Sequence, residues 1–424
     1  MSSRISVAII GGGLAGASLA NALIKLPHLD VHVYESAPEF SERGAAISLG
    51  GNAIQALQQV IPSAKTLLEG AGAVPMNAAR AVIGSGPNAG TMVFESGGGD
   101  GKLAVHRASL LQGLLAPLPQ SILHASKKLV AINKRGEEEI EKIELVFQDG
   151  DIAEFDAVIG ADGIFSFVRE NVLQGPKNHG PSPAGFWDCR NLVPFEKAKA
   201  TLGEQYFISD KPMQYGWTGD GAFLMHDVIE NGTMVQCVIS GVEKDPSNNV
   251  NEREQPLTRE YLEEGLKDWI DGPIAKGMID LVLDQPKTKR YSQWEHKSTP
   301  TYANGRICLI GDAAHASTPW QGAGAGQAIE DVVVLGTLLS NISSPSEIDK
   351  AFKAFDAIRR PRCQQVISSS RETGRILCNQ TGTELDPDKL KEALAPRWQF
   401  LFNFSLDAHK QDALDKLQES QREI

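Results

Sequence analysis

No two cysteines in this sequence stand at a CxxC spacing, and the five present (Cys189, Cys237, Cys308, Cys363 and Cys378) are scattered and odd in number. A disulfide framework is not expected, and a reduced compartment is. Long apolar runs are also missing. Nothing approaches the roughly 18 consecutive apolar residues of a membrane span. The apolar start, Val7-Ala8-Ile9-Ile10, is too short for a secretory leader and runs straight into glycines. The last residues, Gln421-Arg422-Glu423-Ile424, carry no hydrophobic anchor. These readings predict a soluble, cytoplasmic protein that does not bind membranes. Basic tracts are absent too: the formal net charge is -12, with acidic and basic residues mixed along the chain. No nucleic-acid partner is expected, because that contact needs clustered Lys and Arg to displace counterions. His and Cys do not gather at ligand spacing, so no metal site is expected. There are no internal repeats and no low-complexity tracts.

What is present is the balance of a globular protein, with 42% hydrophobic and 22% charged residues over 424 positions. That length predicts two or three packed domains. Ile5–Ile10 is a β-branched run suited to a buried parallel strand. Residues 17–26 follow in helical periodicity, and 31–35 read as a second strand, which completes one βαβ unit. Residues 75–100 are rich in Gly, Ala and Ser and show few strong elements. A helix is predicted over 107–118, and strands over 145–147 and 155–159. From about 180 to 290 the pattern turns strand-like, as in 223–225 and 234–239, with helices near 257–270. A buried strand returns at 307–310, and the remainder from about 345 reads as helical and charged. The expected organisation is interleaved. A nucleotide-binding domain takes 1–75, 100–180 and 290–360, a β-rich domain takes 76–99 and 181–289, and 361–424 form a helical tail.

Between the first strand and helix stands Gly11-Gly12-Gly13-Leu14-Ala15-Gly16. The spacing Gly11-x-Gly13-x-x-Gly16 permits a tight turn, close approach of a pyrophosphate and close packing of helix on strand. The amides at that helix start would face the phosphates. Glu35 ends the second strand about 20 residues later, where an acid can hold ribose hydroxyls. Such an acid repels a 2′-phosphate, so the unit suits FAD or NAD rather than NADP.

Two further segments narrow the choice. Asp162-Gly163 stands at a strand end, with Ser166 and Arg169 opening a helix. Gly311-Asp312-Ala313-Ala314-His315 ends another strand and runs into Pro319-Trp320-Gln321-Gly322-Ala323-Gly324-Ala325-Gly326, which opens a helix through Glu330 and Asp331. A carboxylate at Asp312, expected to be buried, can accept a ribityl hydroxyl, and amides of 322–326 can face a flavin carbonyl. His315 reads as a packed strand-end histidine, with a catalytic base as the alternative. In order and spacing the three segments resemble those of the single-component FAD-dependent aromatic hydroxylases, most closely the salicylate-hydroxylase-like members of fungal type, over roughly residues 5–365. The resemblance implies an α/β fold: a Rossmann-type FAD domain, an inserted β-rich substrate domain and C-terminal helices. It also implies an FAD site built from Gly11, Gly13, Leu14, Ala15, Gly16, Glu35, Ser36, Arg43, Ser48, Arg107, Val130, Asp162, Asp312, Gly322, Gly324 and Ala325.

It further implies a reaction in which NADH or NADPH reduces FAD and O₂ then gives a flavin C4a-hydroperoxide that hydroxylates an activated aromatic ring. The turn 319–326 would shelter the flavin from water. For a phenolic acid, Arg190 can supply a guanidinium for the carboxylate and His226 can take the phenolic proton, with Tyr215 and Trp217 lining an aromatic pocket. Rival readings are a flavin epoxidase of an isoprenoid or indole intermediate, a dinucleotide-holding redox sensor without turnover, and an FAD dehydrogenase that does not use O₂. The expected assembly is a monomer or a homodimer.

Overall fold

Ile5–Ile10 forms the middle of a six-stranded sheet, buried along almost its whole length as its β-branched composition requires. The computed structural model describes residues 4–41, 46–76, 78–96, 101–135, 142–174, 179–207, 213–247 and 249–422. In this sheet Ile5–Ile10 pairs in parallel with Leu29–Tyr34 on one side and Ala157–Gly160 on the other. Ile307–Leu309 continues it in parallel beyond Ala157–Gly160, and Leu123–His124 beyond Leu29–Tyr34. The chain leaves Ile5–Ile10 through the helix Leu14–Leu23 and returns one strand over, a βαβ crossover. The strand order reverses at Ile5–Ile10, so a crevice opens beyond its carboxyl end, the usual ligand position of such sheets.

A second sheet of eight strands runs in the order Glu254–Pro256, Lys289–Glu295, Ser182–Pro194, Met234–Val242, Ala222–Ile229, Met213–Gly219, Ala78–Ile83, Met92–Ser96. All its pairings are antiparallel except that of Met213–Gly219 with Ala78–Ile83. These last two strands on the edge come from the stretch that reads as weak in sequence. Its small residues form strands because the edge of Met213–Gly219 offers a ladder, a tertiary effect that overrides local preference.

Both faces of this sheet are covered, and alternation divides the side chains between them. Val82, Tyr215, Trp217, Leu224, Cys237 and Ile239 face a back layer that includes Phe195–Leu202, Arg259–Gly265 and Ala275–Leu283. Ala81, Ile83, Phe186, Phe223 and Val242 face the front, against Trp320 and the end of the 30-residue helix Ile348–Leu377. Thr218 fixes that docking by donating to the Leu377 carbonyl at 2.6 Å. The helices Pro387–Phe402 and Leu406–Arg422 complete the charged tail, which is helical as its pattern predicts.

Candidate active site

The first glycine segment adopts the geometry that its spacing predicts. Gly11 lies at φ +107°, and a Cβ there would sit 2.3 Å from the Ala161 carbonyl oxygen. A Cβ on Gly16 would come within 2.0 Å of the Gly11 carbonyl, so the helix can approach its strand only through glycine. Gly13 precedes Leu14 and Ala15 at the helix start, where no side chain among the described residues caps the amides. Those amides are thereby left for a ligand anion. Beside them Glu35 is fixed by the Gly12 amide on one oxygen and the Ala37 amide on the other, both at 2.8 Å, with Ser36 donating at 3.1 Å. The chain at 126–127 lies along this corner through Ser126 N to Ala37 O and Lys127 N to Glu35 O. Val130 follows at the start of Leu129–Arg135 with 43% of its surface exposed. Arg43 lies outside the described residues.

The second and third segments meet through one guanidinium. Asp162 accepts from Ser166 Oγ at 2.5 Å and from the amides of Phe167 and Val168, while Ser166 caps the same helix by accepting from Arg169 N. Burial raises the Asp162 carboxyl against the pull of these donors. Asp162 is thus engaged as a helix cap. Arg169 is buried without a carboxylate partner among the described residues. It donates to the carbonyls of His179, Ala313 and Ala314 and to Thr299 Oγ1, and burial lowers it to about 10.

Asp312 corrects one expectation: its side chain is exposed, not buried. Gly311, at φ +57° and ψ -143°, turns Asp312 outward at the start of the short helix Asp312–His315. The buried acid of this turn is Asp331, which accepts from Gly311 N at 2.9 Å and from His315 Nε2 at 2.5 Å. Burial opposes a charge on His315, yet the Asp331 carboxylate outweighs it and raises the imidazole well above its usual value. Arg359 closes the cluster, with Nε on Asp331 and Nη1 on Glu330, each at 2.8 Å. Glu330 also takes Arg362 Nε at 2.7 Å, Arg362 Nη2 at 2.9 Å and Asn52 Nδ2 at 2.7 Å. One network thus ties the 311 turn, the helix Gly324–Ser340 and the helix Gly51–Val60.

His315, Asp331 and Cys363 hold ligand-type atoms within 4.8 Å of one another, a grouping invisible in their sequence spacing. The Arg359 guanidinium, hydrogen-bonded to both Asp331 and Cys363, adds its positive charge to that of the raised His315 imidazole there. The sequence shows these arginines only as part of a charged helix, because their partners lie about thirty residues away in the chain.

Across the crevice, the turn 319–326 meets the front of the eight-stranded sheet. Trp320 packs edge-on against Phe186 and Phe223, with ring centroids at 5.0 and 5.8 Å. Its indole fills the space that a Cβ on Gly374 would need, 2.4 Å away. Gly322 takes the left-handed conformation at φ +62°, and the position of its missing Cβ lies 3.5 Å from Ser48 Cβ. Ser48 donates to Met76 Sδ at 3.4 Å. Among the described residues no side chain caps the helix that begins at Gly324 and Ala325, and Gly324 faces open space. Arg107 opens the helix Arg107–Leu115, half-buried. An uncapped helix start beside a bound acid, an exposed Asp312 and an open glycine cradle fit an extended dinucleotide running from Glu35 to Gly324.

The sheet corrects two substrate expectations. His226 and Tyr215 stack at 5.1 Å on the back face, away from this crevice, and Tyr215 OH is held by Arg80 Nη1 at 2.7 Å. His226 is 1% exposed, and burial pushes it down to about 3, so it neither reaches a substrate in the crevice nor holds a proton there. Trp217 lies on the same back face. Arg190 sits on the opposite, front face, partly exposed, with Nη2 3.1 Å from Asp188 Oδ1. Its strand neighbours toward the edge are Val238 and then Met225.

A Rossmann-type sheet with this crevice defines a dinucleotide-binding protein. Comparison with known proteins makes the class specific. Residues 123–370 match the family described as FAD binding domain, and the chain belongs to that family. It is 34% identical to the 6-methylsalicylate 1-monooxygenase of Aspergillus terreus, over 98% of this chain and 92% of that one. It is 29% identical to a salicylate hydroxylase of Pseudomonas putida, over 97% and 95%. A solved salicylate hydroxylase substrate complex superposes with a TM-score of 0.84 at 27% identity, covering 97% of this chain and 98% of that one. The protein is an FAD-dependent monooxygenase of the aromatic hydroxylase group. Its fold is the expected one, and no helix among the described residues is long and apolar enough to cross a membrane.

Proposed function

We propose that this enzyme hydroxylates a small phenolic aromatic acid of the salicylate type, using NADH or NADPH and O₂. The observation that carries the reading is the front face of the eight-stranded sheet. There Arg190 and the polar side chains of Gln214, Asp227 and Gln236 share a face with Met225, Phe223 and Val238, and Phe223 packs against Trp320 of the turn 319–326. An apolar floor with a few convergent polar groups is the usual form of a small-ligand pocket. The names of the relatives support the same substrate class. Five free, buried cysteines support a reducing compartment, and the cytoplasm is part of the proposal. Sheet membership supports an FAD-binding part at 1–75, 100–180 and 290–360 and a substrate part at 76–99 and 181–289, with Lys289–Glu295 straddling the last boundary.

Bound FAD supplies the redox chemistry, taking a hydride from the nicotinamide and activating O₂. Glu35 would hold the ribose of its adenosine, the amides of Gly13 to Ala15 its pyrophosphate, and Asp312 its ribityl chain. Trp320, wedged between sheet and helix, keeps water from the inner end of the crevice. Arg190 already lies 3.1 Å from an acid, Asp188, and a substrate carboxylate would share that guanidinium.

The test is NADH and NADPH oxidation by the purified protein with salicylate, other hydroxybenzoates, a resorcinol and a prenylated indole, assaying H₂O₂ in parallel. Strong stimulation by a hydroxybenzoate with little peroxide is expected, and stimulation by the indole alone would overturn the reading. Asp312→Ala is expected to lower FAD content. Arg190→Ala is expected to raise KM for the acid about 10-fold or more and to leave FAD content unchanged. An unchanged KM would move the anchor elsewhere.

A further inference from the structure

We propose that Asp227 is the catalytic base that takes the proton of the substrate's aromatic hydroxyl. The inference rests on the aromatic-acid reading above and adds the residue that prepares the ring for attack.

The geometry comes from strand register. Within Ala222–Ile229, Leu224 and His226 point into the back layer, so Phe223, Met225 and Asp227 point to the front. Asp227 pairs with Gln236 on one neighbouring strand and lies opposite Gln214 on the other. It lines a void of about 10 Å³ at the ends of these strands, together with Gln214, Met213, Val228, Pro75 and Met76. Met76 is the residue bonded to Ser48, and Ser48 lies against Gly322 of the turn 319–326. Asp227 thus shares a void with Met76, whose partner Ser48 lies against the cofactor turn.

The chemistry of the surroundings suits a base. Asp227 Oδ1 accepts from Gln236 Nε2 at 3.2 Å, while the buried Gln236 Oε1 has no partner among the described residues. A buried acceptor left open beside a carboxyl points to a ligand hydroxyl that is missing from the cluster. Burial pushes the Asp227 carboxyl up to about 7, against the donors Gln236 and Gln214 and the charge of Arg190. Ordinary carboxylates titrate about three units lower and are poor bases toward a phenol, whereas one near neutrality is matched to the task. The charged groups facing it are Arg190 and, beyond it, Asp188; Cys237 on the next strand is pushed up to about 12 by burial and stays a thiol. Pro75 and Met76, on the remaining side, carry no charge.

The step balances simply. The substrate O–H bond breaks, the proton passes to the Asp227 carboxylate, and the electron pair stays on the oxygen as phenolate. That pair conjugates into the ring and raises the electron density where oxygen is delivered. Asp227 becomes neutral as the substrate becomes charged, so the crevice keeps its total charge. No electron leaves or enters.

The experiment compares wild type, Asp227→Asn and Gln236→Leu as FAD-loaded proteins. FAD content is read by absorbance. Affinity for salicylate and for 2-methoxybenzoate, which has no aromatic hydroxyl proton to give, is read by flavin fluorescence. The pH profile of kcat is measured for salicylate. Wild-type kcat is expected to rise with pH through a limb near 7. Asp227→Asn is expected to lose about 100-fold or more in kcat and to lose the limb, with FAD content and 2-methoxybenzoate affinity kept. Gln236→Leu removes a donor to the carboxylate and is expected to move the limb to higher pH. An Asp227→Asn protein with wild-type kcat and limb overturns the inference, and so does parallel loss of 2-methoxybenzoate affinity. If Asp227→Asn fails to hold FAD, an unmoved limb in Gln236→Leu overturns it. A wild-type protein that binds neither benzoate overturns the substrate reading and the inference together, whereas the other failures leave the substrate reading standing.

Discussion

Asp227 and His226 are chain neighbours on opposite faces of one strand, and burial disfavours the charged form of both, raising the carboxyl and lowering the imidazole. Asp227 titrates near 7 when folded and at 3.8 as a free side chain. Over that range the native state keeps a proton that the unfolded state has lost, so its contribution to stability falls as pH rises. His226 titrates near 3 when folded and at 6.5 when free, so the unfolded state binds the extra proton and stability rises with pH. Between about pH 4 and 6.5 the two slopes cancel. Asp227→Asn is expected to match wild type near pH 4 and to exceed it by roughly 4 kcal/mol at pH 8. Denaturant unfolding at the two pH values measures this, and a pH-independent difference would place Asp227 in contact with water. His226→Phe is expected to lose the acid sensitivity below pH 6 instead. At this scale the sequence was half legible. Alternation separates Asp227 from His226 with certainty, but both faces of the sheet are covered. Pattern alone therefore does not say which face meets helices and which meets the cofactor, and His226, the residue better suited by its ordinary pKa, points into the back layer.

Elements carry the support for the cofactor turn. The segment 311–331 is legible as a flavin turn because its glycines, its strand and its helix are consecutive. The pair Arg359 and Arg362 is not, because ion pairs between residues about thirty apart leave no periodic trace. Neither arginine is near the crevice surface, yet together they neutralise Glu330 and Asp331, which hold Asn52 and the Gly311 amide. Arg362 also stacks on Phe404 at 3.5 Å, which links the C-terminal helices to the same network. Removing one partner of a buried charge cluster costs about 3–5 kcal/mol. Arg359→Met is expected to lower the midpoint of thermal unfolding and to release FAD during gel filtration. Full FAD retention in a folded Arg359→Met protein would detach the network from the turn.

For the whole molecule, three segments separated by some 150 residues converge because the parallel sheet places their strands side by side. Order and spacing in the sequence already implied that convergence. The weak edge strands Ala78–Ile83 and Met92–Ser96 were not legible, since their pairing depends on a strand more than a hundred residues later. The long helix Ile348–Leu377 is the element that binds the layers together. It meets the Rossmann-type body through its arginines and the eight-stranded sheet through its last turn.

The five cysteines are all free and all buried, and they are distributed one or two to each layer. Cys308 lies in the parallel sheet, Cys189 and Cys237 lie under the back helices, Cys363 sits beside the arginines, and Cys378 follows the helix that docks on the front face. They form a set of internal clocks. A thiol reagent at limiting exposure should leave the native enzyme unlabelled, and each site should react at the opening rate of its own layer. Mass spectrometry of the labelled peptides would then order the layers by local stability. FAD should slow Cys363 most strongly, and equal protection of all five would show that the layers open as one unit.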